Sequence, residues 1–136
     1  MVLLLDTCAI LWIAQDAPIA PAVHEAIERD FAATRPTHVS PISAWELGLL
    51  AASRRISLTM TPTRWFHHFI ERPGVALAEL TPDILIAASF LPGELHRDPA
   101  DRILCATARE GGHTIVTRDR KILDYAAAGH IRALAC

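Results

Sequence analysis

The sequence predicts an α/β fold in which helices cover both faces of a short parallel sheet, giving a three-layer α/β/α sandwich. Short apolar runs alternate with longer segments of helical periodicity. The chain has 136 residues, of which 51% are hydrophobic and 21% are charged. A chain of this size and composition can form one hydrophobic core and is not expected to be disordered. We therefore predict a single domain over residues 1–136.

Five short apolar runs are predicted to be strands. The first, residues 2–5, is apolar throughout and ends directly before Asp6. The next three each lie between two segments of helical periodicity and the last follows such a segment, which is the order typical of a parallel sheet. They are residues 38–40, 75–80, 114–116 and 131–134.

Seven segments are predicted to be helices: residues 9–14, 21–33, 41–53, 62–70, 82–89, 99–110 and 120–127. Proline marks the beginning of several. A capping residue precedes a proline suited to the first helical position in Ser40-Pro41, Thr61-Pro62, Thr81-Pro82 and Asp98-Pro99. Residues 90–98, which include Pro92-Gly93, are predicted to be a loop bordering the functional site.

Composition narrows the cellular setting. The first five residues are apolar, but they are followed by Asp6 and contain no basic stretch, so they do not resemble a signal peptide. No apolar segment is as long as a membrane span. Cys8, Cys105 and Cys136 are an odd number without zinc-like spacing, which indicates reduced thiols used for packing. We therefore predict a soluble, cytoplasmic protein.

Four acidic residues far apart in sequence are predicted to meet at one edge of the sheet. Asp6 follows the first strand, Glu46 lies inside the helix after the second strand, Asp101 is in the first turn of the sixth helix, and Asp119 follows the fourth strand. Ligands of parallel sheets bind at the carboxyl ends of the strands. Two carboxylates about 5 Å apart repel by roughly 3 kcal/mol at an effective dielectric near 20.

A divalent cation would remove this repulsion, and oxygen ligands without a matching His or Cys set favour Mg²⁺ or Mn²⁺. Such a site can hydrolyse a phosphodiester. Three of the acidic residues nearby also have a plain structural explanation, since Asp98 and Asp119 can be helix N-caps and Asp101 can belong to a capping box. Glu46 lies too far into its helix for a capping role.

The net charge is −2, which argues against broad nucleic-acid binding by the whole surface. Arginine nevertheless dominates the cations, with twelve Arg to one Lys. Guanidinium groups bind phosphate in a planar, bidentate manner, but surface ion pairs explain any single arginine equally well. The candidates for substrate binding are Arg97, Arg102 and Arg118.

Four segments of the chain resemble PIN-domain ribonucleases, specifically the VapC-type toxins of bacterial toxin–antitoxin pairs. They are Leu3-Leu4-Leu5-Asp6-Thr7, Val39-Ser40-Pro41-Ile42-Ser43-Ala44-Trp45-Glu46-Leu47, His96-Arg97-Asp98-Pro99-Ala100-Asp101-Arg102 and Val116-Thr117-Arg118-Asp119. Their order and spacing are similar to those of the family over nearly the whole chain.

The resemblance implies a PIN fold and a Mg²⁺- or Mn²⁺-dependent endoribonuclease. It also implies a homodimer and a cognate antitoxin whose C-terminal segment covers the acidic groove. The implied catalytic and metal-binding residues are Asp6, Glu46, Asp101 and Asp119. The implied supporting residues are Thr7, Ser43, Asp98 and Thr117.

Two departures from the family pattern concern single positions. Cys8 replaces a residue that is often polar in related chains, and we interpret it as a packing residue. Leu49-Leu50 occupy the region where family members often have a lysine, so Arg54 and Arg55 are candidates for that contact.

Two other functions are open to this sequence. A phosphohydrolase with Asp6 as covalent nucleophile would need a second Asp two residues later, where this chain has Cys8. A catalytically silent PIN-like domain that only binds another protein would gain nothing from mutually repelling carboxylates.

The remaining histidines and aromatic residues give weaker signals. Most histidines are scattered without ligand spacing. His96 is the exception, because it precedes Asp98 by two residues and is a candidate for substrate contact. The large aromatic side chains are predicted to pack in the core or at a dimer interface rather than to stack on bases; they are Trp12, Trp45, Trp65, Phe66 and Phe69.

Overall fold

The computed structural model describes residues 2–136, which form five strands and seven helices. In chain order these are β1 (Val2–Leu5), α1 (Thr7–Ala14), α2 (Pro21–Ala32), β2 (Thr37–Val39), α3 (Ile42–Ala52), α4 (Pro62–Ile70), β3 (Val75–Leu77), α5 (Pro82–Ala87), α6 (Pro99–Gly111), β4 (His113–Thr117), α7 (Arg120–Ala127) and β5 (Arg132–Ala135). Every predicted element is present. Their ends differ from the predicted ends by at most three residues.

Three of the four proline-marked helix starts are confirmed. Thr61, Thr81 and Asp98 each accept a hydrogen bond from a backbone amide of the following turn, and a proline follows each of them. The fourth start was predicted one residue too early. Pro41 is itself the N-cap position of α3, and the Ser40 hydroxyl accepts from the Ile42 amide at 3.1 Å.

All strand pairs of the sheet are parallel, and the strand order is β3-β2-β1-β4-β5. Leu5 pairs with Val39 of β2 and with Val116 of β4. The central strand β1 therefore has neighbours on both sides. Leu3, Leu4 and Leu5 are at most 1% exposed, because helices cover both faces of the sheet.

Two main hydrophobic cores lie on opposite faces of the sheet. Leu3 and Leu5 belong to the core shared with α1, α2 and α4, whereas Leu4 belongs to the core shared with α6 and α7. This alternation follows from the two-residue period of a strand. Helix α3 contributes to both sides, because Leu47 is buried in the first core and Ile42 packs against the second. The arrangement is the predicted α/β/α sandwich.

Three polar residues lie side by side at the carboxyl edge of the sheet. Because Leu5 is in register with Val39 and Val116, the residues that follow them are Asp6, Ser40 and Thr117. All three are buried. None of the helices in residues 2–136 has the length and apolar character needed to span a bilayer.

Candidate active site

Asp6 connects the end of β1 to the start of α1. Its Oδ1 accepts a hydrogen bond from the Ala9 amide at 2.7 Å, so the residue is the N-cap of α1. Its Oδ2 accepts from the Thr117 hydroxyl at 2.5 Å. Both oxygens are held in place, yet each carboxylate oxygen keeps acceptor capacity for a further ligand.

Thr117 connects two of the acidic residues. It is fully buried at the end of β4, and its hydroxyl oxygen accepts a hydrogen bond from the Asp119 amide at 2.9 Å while donating to Asp6. The side chain thereby fixes the position of Asp6 relative to the start of α7. Sequence resemblance had assigned Thr117 a supporting role without naming its partners.

Glu46 is positioned by hydroxyl groups on α1 and α3. The Thr7 hydroxyl lies 2.5 Å from Oε1 of Glu46 and 3.0 Å from the Ser43 hydroxyl. Because a hydroxyl has one hydrogen, Thr7 can donate to only one of them, and the carboxylate is the stronger acceptor. Thr7 and Ser43 are 5% and 1% exposed, so this contact lies at the base of the site.

Asp101 lies in the first turn of α6, which Asp98 caps. Asp98 accepts hydrogen bonds from the amides of Ala100 and Asp101 at 3.0 and 3.2 Å. The carboxylate of Asp101 makes a contact that the sequence did not predict, since its Oδ2 lies 2.6 Å from Nε2 of His96. Both side chains are 18% exposed.

Asp119 is the N-cap of α7. Its Oδ1 accepts hydrogen bonds from the amides of Lys121 and Ile122 at 2.8 and 3.1 Å. The capping role that the sequence offered as a plain explanation is therefore real. It uses one of the two carboxylate oxygens.

The acidic residues act on one another electrostatically. Burial is the largest cause that raises the pKa of Asp6, of Glu46 and of Asp101 above their ordinary values. Repulsion adds to it. Asp101 and Asp119 raise the pKa of Asp6, and Asp101, Asp98 and Asp6 raise that of Glu46. Asp6, Glu46 and Asp101 are thus each influenced by neighbouring acids, and Asp119 is one of those neighbours for Asp6 and Asp101.

Within residues 2–136, no arginine or lysine pairs with these carboxylates. The ion pairs in residues 2–136 are His24 with Glu28, Arg35 with Asp30, and His96 with Asp101. Over the same residues, no three His, Cys, Asp or Glu side chains are grouped closely enough to hold a metal ion by themselves. The site is a cluster of neighbouring acids without a preformed cage of three ligands.

The donor chemistry of this cluster fits Mg²⁺ or Mn²⁺. Mg²⁺ keeps several water ligands and is usually bound through one or two carboxylates together with substrate phosphates, so a three-ligand protein cage is not required. Raised carboxylate pKa values without a compensating cation are what such a site should show before an ion is bound.

Two of the three arginines predicted to bind substrate are engaged elsewhere. Arg102 donates to the carbonyls of Ala88 and Leu95. Arg118 donates to the carbonyls of Cys136 and Pro18, and its guanidinium lies 3.8 Å from the ring centroid of Trp12. Each guanidinium nevertheless keeps N–H groups that these contacts do not use. A role in substrate binding stays a prediction for both residues, and for Arg97, which is exposed.

The prediction that Cys8 is a packing residue is wrong. Cys8 is exposed, whereas Cys105 is buried as expected. Partial burial raises the pKa of the Cys8 thiol to about 11, and the charges of Asp6 and Glu46 add to this shift. Cys8 is therefore a neutral thiol beside the acidic cluster at physiological pH.

The aromatic side chains divide between core and surface. Phe66 and Phe69 are buried, and Trp12 and Trp65 pack against the same core. Trp45, one residue before Glu46, is 52% exposed and is not a core residue.

A family comparison agrees with this fold and site. The model of the PIN domain family matches residues 3–128. The chain belongs to the PIN domain family. The VapC-type resemblance is confirmed as well, because the chain is 35% identical over 124 residues to Ribonuclease VapC22 of Mycobacterium tuberculosis, covering 91% of each chain.

Solved structures of this family have the same fold. VapBC2 from Rickettsia felis, bound to a DNA fragment from its promoter, includes a chain with a TM-score of 0.70 and 12% identity, covering 99% of this chain and 98% of that one. DNA-bound VapBC from Salmonella typhimurium gives a TM-score of 0.60 at 17% identity, covering 99% and 98%. FitAcB from Neisseria gonorrhoeae gives 0.57 at 18% identity, covering 98% and 96%. The PIN fold is therefore shared at low sequence identity.

Proposed function

We propose that this PIN domain is a divalent-cation-dependent endoribonuclease, acting in the cytoplasm as the toxin of a type II toxin–antitoxin system. The observation that carries the proposal is the cluster of Asp6, Glu46, Asp101 and Asp119, in which burial and neighbouring acids raise the pKa of Asp6, Glu46 and Asp101, and in which no arginine or lysine of residues 2–136 pairs with the carboxylates. The likeness to a ribonuclease along 91% of the chain supports the same conclusion.

The residues have distinct roles in this proposal. Asp6, Asp101 and Asp119 would hold Mg²⁺ or Mn²⁺, and the cation would supply positive charge at a scissile phosphate and lower the pKa of a nearby water molecule. Thr117 orients Asp6. Thr7 holds Oε1 of Glu46, which leaves Oε2 to accept a hydrogen bond from the attacking water. Asp98 fixes the first turn of α6 and so the backbone of Asp101.

A cognate antitoxin and a homodimer are part of the same proposal. Solved structures with this fold come from VapBC and FitAcB assemblies. Trp45 and Leu49 are 52% and 49% exposed on α3, next to Glu46 on the same helix. Residues four apart lie on one face of a helix, so these two side chains form an apolar surface beside the acids that a protein partner can cover.

The alternative phosphohydrolase gains no support. Such an enzyme would need a second Asp two residues after Asp6, where this chain has Cys8, and Asp6 is only 8% exposed, which limits the approach of a substrate phosphorus atom. A catalytically silent binding domain differs from the proposal in two measurable properties, because it requires neither cation binding nor RNA cleavage.

The test uses the whole chain and an Asp6→Asn variant. Calorimetry at neutral pH should detect Mn²⁺ binding to the wild type and much weaker binding to the variant. With Mg²⁺ or Mn²⁺ present, the wild type should cleave RNA internally and the variant should not, while both melt cooperatively. Asp83→Asn is a matched control, because Asp83 is an exposed acid in the first turn of α5. A fully active Asp6→Asn variant, or a wild type that binds no Mn²⁺, would refute the proposal.

A further inference from the structure

The loop before α6 is tied to the residue that follows Asp101. Arg102 donates from Nε to the Ala88 carbonyl at 2.9 Å, and from one terminal nitrogen to the carbonyls of Leu95 and His96 at 3.1 and 3.4 Å. These acceptors lie at the two ends of the connection between α5 and α6. A single planar guanidinium thus holds both ends of the loop that carries His96.

His96 in turn holds Asp101. Its Nε2 lies 2.6 Å from Oδ2 of Asp101 in a pair that is 18% exposed on both sides. Toward an ionised Asp101, which can only accept, the imidazole donates from Nε2. The contacts of Arg102 and His96 therefore close a short ring through residues 96–102.

The imidazole of His96 is oriented so that its one hydrogen-bond partner among residues 2–136 is Asp101. Nδ1 of His96 is buried and has no hydrogen-bond partner among residues 2–136. A buried polar atom left without a partner costs about 1 to 3 kcal/mol. Nδ1 therefore carries this cost, while Nε2 makes the short contact to the Asp101 carboxylate.

The hydrogen bonds within residues 2–136 leave Oδ1 of Asp101 without a partner. Repulsion from Asp98 and Asp119 acts on this carboxylate. The contact at Oδ2 restrains the side chain and leaves Oδ1 free to accept a further ligand.

We propose that His96 and Arg102 are positioning residues for cation binding: Arg102 fixes the loop, and His96 holds Oδ2 of Asp101 so that Oδ1 is presented to the divalent cation. This inference rests on the proposed function. Hydrogen-bond partners of metal ligands typically change metal affinity by about 10- to 100-fold when they are removed.

The experiment compares two substitutions of His96 in the full chain. His96→Leu keeps bulk and removes the donor, whereas His96→Gln can place an amide nitrogen near the position of Nε2. We expect His96→Leu to weaken Mn²⁺ binding by about 10- to 100-fold in calorimetry, and His96→Gln to recover most of the affinity. Cleavage by His96→Leu should return toward the wild-type rate when Mn²⁺ is raised above its new Kd. A residue with a merely structural role would not give this rescue.

Arg102→Lys tests the second contact, because one ammonium cannot reach three carbonyls in the same geometry. We expect weaker Mn²⁺ binding and faster proteolysis within residues 88–98, measured without the cation. Glu94→Gln, an exposed change in the same loop, should leave both properties unaltered.

The outcomes separate the two proposals. A wild type that binds no Mn²⁺ removes the proposed function and this inference with it. A wild type that binds Mn²⁺ while His96→Leu binds equally well overturns the inference alone. Equal loss of affinity in His96→Leu and His96→Gln also overturns it, because the hydrogen bond would then not be the cause.

Discussion

Two groups of titratable side chains in this protein, an acidic cluster and a pair of partly buried histidines, respond to burial in different ways. The acidic cluster lies at the carboxyl ends of β1 and β4, and burial raises the pKa of Asp6. The histidine pair, His38 of β2 and His113 of β4, lies further back in the sheet with ring centroids 5.1 Å apart, and burial lowers the pKa of both rings.

The difference shows why one group needs a ligand and the other does not. A histidine has an ordinary pKa of 6.5, so losing a proton at neutral pH is easy, and the pair then packs as two neutral rings in an edge-to-face arrangement. An aspartate with an ordinary pKa of 3.8 would have to keep a proton several pH units above that value. A divalent cation removes the repulsion without such a shift.

Cation binding should give the largest effect. At about 100 times its Kd, Mn²⁺ should raise the free energy of unfolding by about 2.7 kcal/mol at pH 7.5, because only the folded state brings the acids together. The ligands must be ionised, and their pKa values are raised, so the gain should shrink as the pH falls. Thermal unfolding with and without Mn²⁺ between pH 5 and 7.5 measures this.

Without the cation, the acidic cluster should make the folded protein less stable as the pH rises. A carboxylate whose folded pKa is raised contributes stability that is present at low pH and is lost as the pH rises through that pKa. The melting temperature of the cation-free wild type, relative to Asp6→Asn, should therefore fall as the pH rises. An equal gain from Mn²⁺ at pH 5 and pH 7.5 would contradict this account of the acidic cluster.

Thr117→Val should have the next largest effect. Valine has a similar shape but cannot donate to Asp6 or accept from the Asp119 amide, so we expect a loss of about 2 kcal/mol in the free energy of unfolding. Mn²⁺ affinity should fall by about 10- to 100-fold. Denaturant unfolding and calorimetry give the two values.

A matched control is available in the same protein. Thr107 is also buried, but its hydroxyl donates to the Ile103 carbonyl within α6. Thr107→Val should leave Mn²⁺ affinity unchanged, and Thr117→Ser should keep most of the wild-type affinity. If both valine variants weakened Mn²⁺ binding equally, Thr117 would have no particular role at the site.

The sequence predicts the fold and the location of the acids well because both depend on chain periodicity. Strand β1 ends at Leu5 and β4 ends at Thr117, so parallel pairing places Asp6 and Asp119 at one edge whatever the surrounding side chains do. The identity of these residues as members of one cluster followed from topology. Their catalytic roles stay a prediction.

The side-chain partners could not be predicted in the same way, because they depend on contacts between distant segments. Arg118 donates to the Pro18 carbonyl, 100 residues earlier in the chain, and nothing in the local sequence indicates this. Whether Cys8 is buried depends on how the short helix α1 is rotated against α3. The contact between His96 and Asp101 had a local signal, since five residues separate them across a helix start, but its geometry depends on how Arg102 holds the loop.

Gly111→Ala tests the packing around the histidine pair and should have a smaller effect. An added Cβ would lie 2.4 Å from Cε1 of His113, so the ring would have to move. Alanine normally stabilises a helix by about 0.5 to 1 kcal/mol relative to glycine. Here we expect a net loss of about 1 kcal/mol from overpacking.

Removing the His113 ring should turn the loss of stability caused by Gly111→Ala into a gain. In a His113→Ala background, Gly111→Ala should stabilise the protein by about 0.5 to 1 kcal/mol, as at an ordinary helical position. Denaturant unfolding of the four proteins in this double-mutant cycle measures the coupling. The same sign in both backgrounds would show that the His113 ring does not restrict residue 111.

The smallest effect should be the pH dependence contributed by the histidine pair. The folded pKa of His38 is lowered below the ordinary value of 6.5, because burial and the charge of His113 disfavour protonation. Glu79 and Glu110 line the same cavity as the two rings. A lowered pKa contributes stability that is present above pH 6.5 and is lost as the pH falls below it.

His38→Phe isolates this contribution, since it keeps an aromatic ring without a titratable nitrogen. The acidic cluster is present in both proteins, so its own pH dependence cancels in the difference between their melting temperatures. That difference should be constant from pH 8 to 7 and should shift in favour of His38→Phe from pH 6.5 to 5.5. Parallel curves of melting temperature against pH over the whole range would mean that His38 takes up its proton as easily in the folded protein as in the unfolded chain. The contrast between the acidic cluster and the histidine pair would then apply to His113 alone.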